Sequence, residues 1–62
     1  MARVLIVDDE PRIRDLIRKH LQYAGFTCAE AGDGTQALAE LANGGIDLVI
    51  LDIMMPFMDG MT

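Results

Sequence analysis

Three carboxylates stand where two apolar runs end. Val4-Leu5-Ile6-Val7 leads straight into Asp8-Asp9, and Leu48-Val49-Ile50-Leu51 leads straight into Asp52. Four successive aliphatic residues rich in Val and Ile read as a strand buried on both faces. A carboxylate that follows such a strand sits at the rim of the sheet. If the two strands are neighbours, three acids share one small volume and repel one another. A fold tolerates that cluster where a cation neutralises it or where the site has work to do. Hard oxygen ligands of this kind suit Mg2+, which takes one or two carboxylates and keeps several waters. A carboxylate can also attack phosphorus and form an aspartyl phosphate, with a neighbouring metal stabilising the transition-state charge. The plainer alternative is that Asp8 and Asp9 only cap the following helix. It accounts for one of them and leaves the other, and Asp52, unexplained.

The elements that position these acids follow from the pattern on either side. Residues 3–7 are the first strand. Pro11 then suits a first helical position, where its missing N–H costs nothing, and Glu10 or Asp9 lies at the helix start. Ile13, Leu16, Ile17, Leu21 and Ala24 form a helical apolar stripe. Arg12, Arg14, Asp15, Arg18, Lys19 and Gln22 fill the other side, with Asp15 and Lys19 spaced as an i,i+4 pair. Gly25 fits a left-handed cap, and Phe26 is expected to pack back on the last turn together with Tyr23. Residues 27–31 form a weaker second strand suited to an edge. Gly32-Asp33-Gly34 is a turn, and Asp33 with Gln36 resembles a capping box. A second helix runs to about Ala42 with Ala37, Leu38 and Leu41 facing inward. Asn43-Gly44-Gly45 breaks it, Ile46 to Leu51 form the third strand, and residues 52–62 form a loop with turn signals at Pro56 and Asp59-Gly60.

The order β-α-β-α-β predicts an α/β fold with a parallel sheet. Right-handed crossovers leave strand orders 1-2-3 and 2-1-3. Order 1-2-3 separates the first and third strands. Order 2-1-3 sets them side by side with one helix on each face, at a switch point where ligands bind near the carboxyl ends of strands. Only 2-1-3 brings Asp8, Asp9 and Asp52 together, so 2-1-3 is expected.

Composition narrows the class of protein. A chain of 62 residues makes one small unit, burying only about 60% of its unfolded surface. Its single cysteine, Cys28, cannot form an internal disulfide and reads as a small apolar strand residue. No stretch approaches the ~20 apolar residues that span a bilayer, and Asp8-Asp9-Glu10 interrupts the first apolar run too early for a signal peptide. A cytosolic protein without membrane partners is expected. The net charge of −5 argues against direct nucleic-acid binding. Arg12, Arg14, Arg18 and Lys19 read as a solvated helix face, His20 as a boundary histidine, and Glu30 and Glu40 as solvated acids. Met54, Met55, Met58 and Met61 read as apolar loop packing rather than a soft-metal site. Gly32 and Gly34 are not followed by Lys-Ser/Thr, so they do not form a phosphate-binding loop.

These residues resemble a known family. Val4-Leu5-Ile6-Val7-Asp8-Asp9-Glu10-Pro11 resembles the opening of bacterial response-regulator receiver domains. The segment from Leu48 through Asp52 to Pro56 and Gly60 resembles the family's phosphoacceptor strand and loop. Ala31-Gly32-Asp33-Gly34 followed by Ala37-Leu38 resembles its second turn and helix. The resemblance covers the whole chain and implies the N-terminal half of a flavodoxin-like, doubly wound parallel sheet. It implies that Asp52 accepts a phosphoryl group from a sensor histidine kinase. It also implies that Asp9 and Asp52 ligate Mg2+ with the backbone carbonyl of Met54, that Asp8 holds the metal's waters, and that Pro56 and Gly60 shape the loop.

The family's switch Ser/Thr follows a fourth strand and its Lys a fifth, and neither strand is present in these residues. Lys19 lies mid-helix and Thr62 ends the third loop, so neither substitutes. A chain of this extent is expected to hold Mg2+ weakly, to accept phosphate poorly and not to switch. Its third strand presents a bare apolar edge, which predicts a symmetric homodimer across antiparallel third strands. Exchange of residues 53–62 between two chains is the alternative arrangement. Competing roles are a half-domain that serves only as a folding or assembly unit and a simple divalent-cation module. An aspartyl phosphohydrolase needs a second acid two residues after the nucleophile. Glu10 stands there after Asp8, but Met54 stands there after Asp52, so the expected acceptor lacks that second acid.

Overall fold

The computed structural model describes residues 2–51. Val4, Leu5, Ile6 and Val7 are at most 1% exposed and form the centre of the molecule. They belong to strand β1 (Arg3–Val7), which is followed by helix α1 (Pro11–Tyr23), strand β2 (Thr27–Ala31), helix α2 (Gly34–Asn43) and strand β3 (Leu48–Leu51). The sheet order is β2-β1-β3, with both pairings parallel. The expected 2-1-3 arrangement is therefore present, and β1 is covered along both edges.

Alternation along the strands assigns each helix its face. Leu5, Val7, Ala29 and Ala31 form one buried cluster, against which Ala37 of α2 and Ile46 pack. Cys28 and Glu30 occupy the alternate positions of β2, and Glu30 is met by Arg14 and Arg18 of α1. One helix thus lies on each side, as right-handed crossovers in this strand order require. Both helices pack against β1 and β2, and neither packs against β3.

The helix ends are set by specific hydrogen bonds. Gly25 adopts φ +100°, and Phe26 N–H donates to the Leu21 carbonyl at 3.0 Å while Gly25 N–H donates to that of Gln22 at 3.0 Å. This is the double bond of a Schellman ending, which glycine's left-handed freedom permits. At α2, Asp33 Oδ1 accepts from Gln36 N–H at 2.8 Å. The reciprocal bond runs one residue earlier than expected: Gln36 Oε1 accepts from Gly32 N–H at 3.0 Å.

Several expectations are corrected. The third strand begins at Leu48 rather than Ile46, because Asp47 joins β1 partly through its side chain: its N–H donates to the Arg3 carbonyl, while its Oδ2 accepts from Arg3 N–H. Tyr23 is 95% exposed and does not pack at the end of α1. Leu38 and Leu41 are exposed, since α2 meets the sheet through Ala37. Glu30 is exposed, as expected, but it is also an ion-pair partner, and Arg14 and Arg18 turn from the basic face to reach it. Among the described residues, no helix is long and apolar enough to cross a membrane.

Candidate functional site

The candidate site begins at the carboxyl end of β1. Asp8 follows Val7 directly, and its N–H donates to the Ala31 carbonyl of β2 at 3.1 Å. That bond prolongs the sheet ladder by one residue and carries Asp8 inside the rim, where it is only 2% exposed. Its Oδ1 accepts from Glu10 N–H at 2.8 Å, which closes the turn into α1. Glu10 is the residue that precedes the helix, yet its own side chain makes no capping bond. Asp8 therefore performs part of the capping that sequence alone would give to either acid.

One oxygen of Asp8 is left over. Oδ2 is buried and has no hydrogen-bond partner among the described residues. A buried carboxylate oxygen without a donor carries a desolvation cost of about 1–3 kcal/mol or more. A hard divalent cation, or a water bound to one, would relieve that cost. The donor chemistry at the rim therefore fits Mg2+. Asp9, next in sequence, is exposed and its carboxylate is accessible to a ligand. The two acids thus differ in setting: one is withdrawn and half-satisfied, the other open.

The third acid lies just past the described residues. β3 pairs with β1 so that Val7 faces Leu51, the residue before Asp52. Asp52, Met54, Pro56 and Gly60, expected as phosphoacceptor, carbonyl ligand and loop formers, fall outside the described residues. Among the described residues no cluster of three or more metal-binding side chains occurs, since Asp8 and Asp9 make only a pair.

A partner that sequence reasoning missed stands behind the acids. Arg14, on the second turn of α1, donates through Nη1 to the backbone carbonyl of Asp8 at 2.9 Å. Its Nε donates to Glu30 Oε1, also at 2.9 Å. Arg18 Nε lies 3.0 Å from the other Glu30 oxygen, close enough for ion pairing but not aligned as a hydrogen bond. The signal was available in the sequence. Arg14 and Arg18 are four apart on one helix face, and Glu30 alternates with Ala29 and Ala31, which sets it on the opposite side of β2 from the alanine cluster. Reading the basic run as wholly solvated obscured it.

Comparison with known proteins agrees with this arrangement. Residues 4–62 match the response regulator receiver domain family. Response regulator MprA of Mycobacterium sp. strain KMS is 42% identical over 60 residues, which cover 97% of this chain and 26% of that protein. Transcriptional regulatory protein TrcR of Mycobacterium tuberculosis is 44% identical over 59 residues, covering 95% of this chain and 23% of that protein. The chain thus spans about a quarter of the length of these curated relatives. The crystal structure of response regulator TrrA from Thermotoga maritima, in complex with Mg2+-BeF, superposes with a TM-score of 0.83 at 50% identity, covering 90% of this chain and 49% of that one. The chain belongs to the response regulator receiver domain family.

Proposed function

We propose that this chain carries the acidic corner of a phosphoryl-accepting receiver: Asp52 is the acceptor, and Asp8 and Asp9, with Asp52 and the Met54 carbonyl, hold a divalent cation beside it. The observation that carries this reading is the buried Oδ2 of Asp8, without a partner among the described residues, at the end of the strand that pairs through Val7 with Leu51. That register supports a shared rim for Asp52 and the Asp8–Asp9 pair. The Mg2+-BeF complex of TrrA supports the same ligand chemistry.

The chain's own residues divide the work. The Asp52 carboxylate is already the anion that the reaction needs, so no base has to deprotonate it. One of its oxygens attacks the phosphorus of a phosphohistidine on a sensor kinase. An O–P bond forms, the N–P bond breaks, and the released electron pair stays on the imidazole nitrogen. Mg2+, when bound, neutralises the acids and the phosphoryl oxygens as charge redistributes. Asp9 would offer oxygens to a bound cation, and Asp8 would face it through Oδ2 while its Oδ1 stays on Glu10 N–H. Pro56 and Gly60 shape the loop that carries the Met54 carbonyl. A cytoplasmic setting and a kinase partner go with this reading, and the acidic balance of the segment gives it no direct role on nucleic acid.

The test is an intact-mass time course of the 62-residue chain with a small phosphodonor and Mg2+. Slow, incomplete addition of one phosphate is expected, abolished by Asp52→Asn, by Asp9→Asn and by chelation. Equal labelling of the Asp52→Asn variant would remove Asp52 from its role. Rapid, complete labelling would refute the weak acceptance assigned to these residues.

The same 62 residues are proposed to self-associate through β3. Among the described residues the strand bonds β1 on one side only, and Leu48 and Leu51 are 57% and 69% exposed. An open apolar edge is a template for pairing. Two β3 strands related by a two-fold axis run antiparallel, giving a sheet ordered 2-1-3-3-1-2 with the acid corners at opposite ends. Light scattering coupled to gel filtration decides this, and a folded monomer throughout the micromolar range would refute it.

A further inference from the structure

We infer that Arg14 is a positioning residue for the acid corner: its guanidinium fixes the Asp8 carbonyl and, through that peptide, the aim of Asp9 toward a divalent cation. The inference rests on the cation-binding reading of Asp8 and Asp9.

Asp8 is held on both sides of its Cα. Its N–H is bonded to Ala31 of β2 at 3.1 Å, and its carbonyl accepts from Arg14 Nη1 of α1 at 2.9 Å. The Asp8 carbonyl and the Asp9 N–H belong to one planar peptide unit. Fixing that carbonyl fixes the plane from which the Asp9 side chain departs. Asp9 is exposed, and among the described residues no hydrogen bond reaches its side chain.

Arg14 is itself held. Its Nε donates to Glu30 Oε1 at 2.9 Å, so two bonds at a fixed angle orient the planar guanidinium. Glu30 also balances the charge that Arg14 brings near the acids. Gly32 leaves the space that the group occupies: a Cβ there would lie 3.1 Å from Nη1. What sets Arg14 apart from an ordinary exposed ion pair is its second, part-buried bond to the Asp8 carbonyl.

Charge and positioning predict opposite signs, which makes the inference testable. Acting by charge alone, Arg14 repels a cation, so its removal would tighten binding. Acting by position, its removal weakens binding. Arg14→Lys keeps the charge but replaces the planar fork with one ammonium that cannot reproduce both bonds. Mg2+ is titrated into the 62-residue chain and into this variant, followed by the backbone amide signals of residues 8–10, with thermal unfolding recorded in parallel. A Kd weakened about tenfold is expected for Arg14→Lys, as for other groups that orient metal ligands. The Asp9 amide signal is expected to move even before metal is added. Gly32→Ala, which crowds Nη1 without changing any charge, is expected to weaken binding in the same direction by a smaller factor and serves if the lysine variant does not fold. Unchanged Kd and an unmoved Asp9 amide in a folded variant would overturn the role of Arg14. A wild-type chain whose residues 8–10 do not respond to Mg2+ would overturn the cation reading itself, and the positioning role with it.

Discussion

β1 and β3 are built from nearly the same residues and live in opposite surroundings. Val4 to Val7 are at most 1% exposed, whereas Leu48 and Leu51 are more than half exposed. Both strands are continuous aliphatic runs, so composition does not separate them. Position does. β1 lies between β2 and β3 and beneath both helices, while among the described elements β3 meets β1 alone. An apolar run records that a strand can be buried; the elements around it decide whether it is. The acids at the two strand ends share this contrast. Asp8 is locked by the Ala31 carbonyl, Glu10 N–H and Arg14, and Asp52 follows in sequence a strand with one neighbour among the described elements.

The contrast is broken most directly by removing the same side chain from each strand. Leu5→Ala empties a fully buried position and is expected to cost about 2–5 kcal/mol. Small chains have stabilities of about 3–5 kcal/mol from a single core, so this variant is expected to be largely unfolded at 25 °C. Leu48→Ala removes an exposed side chain and is expected to change stability by less than about 0.5 kcal/mol in a monomer. Urea unfolding followed by circular dichroism measures both. Equal losses would mean that β3 is covered in solution, and their concentration dependence would show whether a second copy covers it.

Where the sequence was legible, a short-range rule was acting. The 2-1-3 order followed from handed crossovers and from acids at two strand ends. The end of α1 followed from Gly25, and the start of α2 from Asp33. What was not legible depended on which elements meet. Tyr23 and Leu38 have the periodicity of packed residues, but the sheet surface beneath them is either absent or already met by Ala37. Glu30 is an exposed acid, but its pairing shows only once α1 is placed over its face, where Arg14 and Arg18 lie within 2.9 Å and 3.0 Å of it. At the site, residue types announced a cluster of acids, whereas the arginine behind it was signalled only by the i,i+4 spacing of Arg14 and Arg18 against the alternation of Glu30 in β2.

A smaller effect sharpens the contrast from the side of the helices. α2 shields the Leu5–Val7–Ala29–Ala31 face through Ala37, and Asp33 starts that helix with a 2.8 Å bond to Gln36 N–H. Asp33→Ala is expected to cost about 1 kcal/mol, while Asp33→Asn, which keeps an acceptor, costs a few tenths. The loss should appear as faster amide exchange in β1 and β2 with little change in β3, because neither helix packs on β3. Uniform acceleration across all three strands would show that the sheet opens only as a unit.

The smallest effect belongs to the charges on the outer side of α1. Asp15 is bonded by Arg18 and lies 3.1 Å from Lys19 Nζ. The Arg18 guanidinium first, and the Lys19 ammonium next, hold the Asp15 carboxyl below its ordinary 3.8. A carboxylate whose pKa is lower in the folded chain than in the unfolded one stabilises the fold above the unfolded value. That contribution fades as pH falls through the folded value. Below pH 4, stability should therefore drop slightly more in the wild type than in Asp15→Asn, and near pH 7 the variant should be marginally weaker. Exposure to solvent and salt screening keep both differences small. Paired unfolding curves at pH 3 and pH 7 make the comparison, and a large loss at pH 7 would mean that Asp15, Arg18 and Glu30 act as one network tying α1 to β2, extending the locked side of the molecule outward from Asp8 to the helix surface.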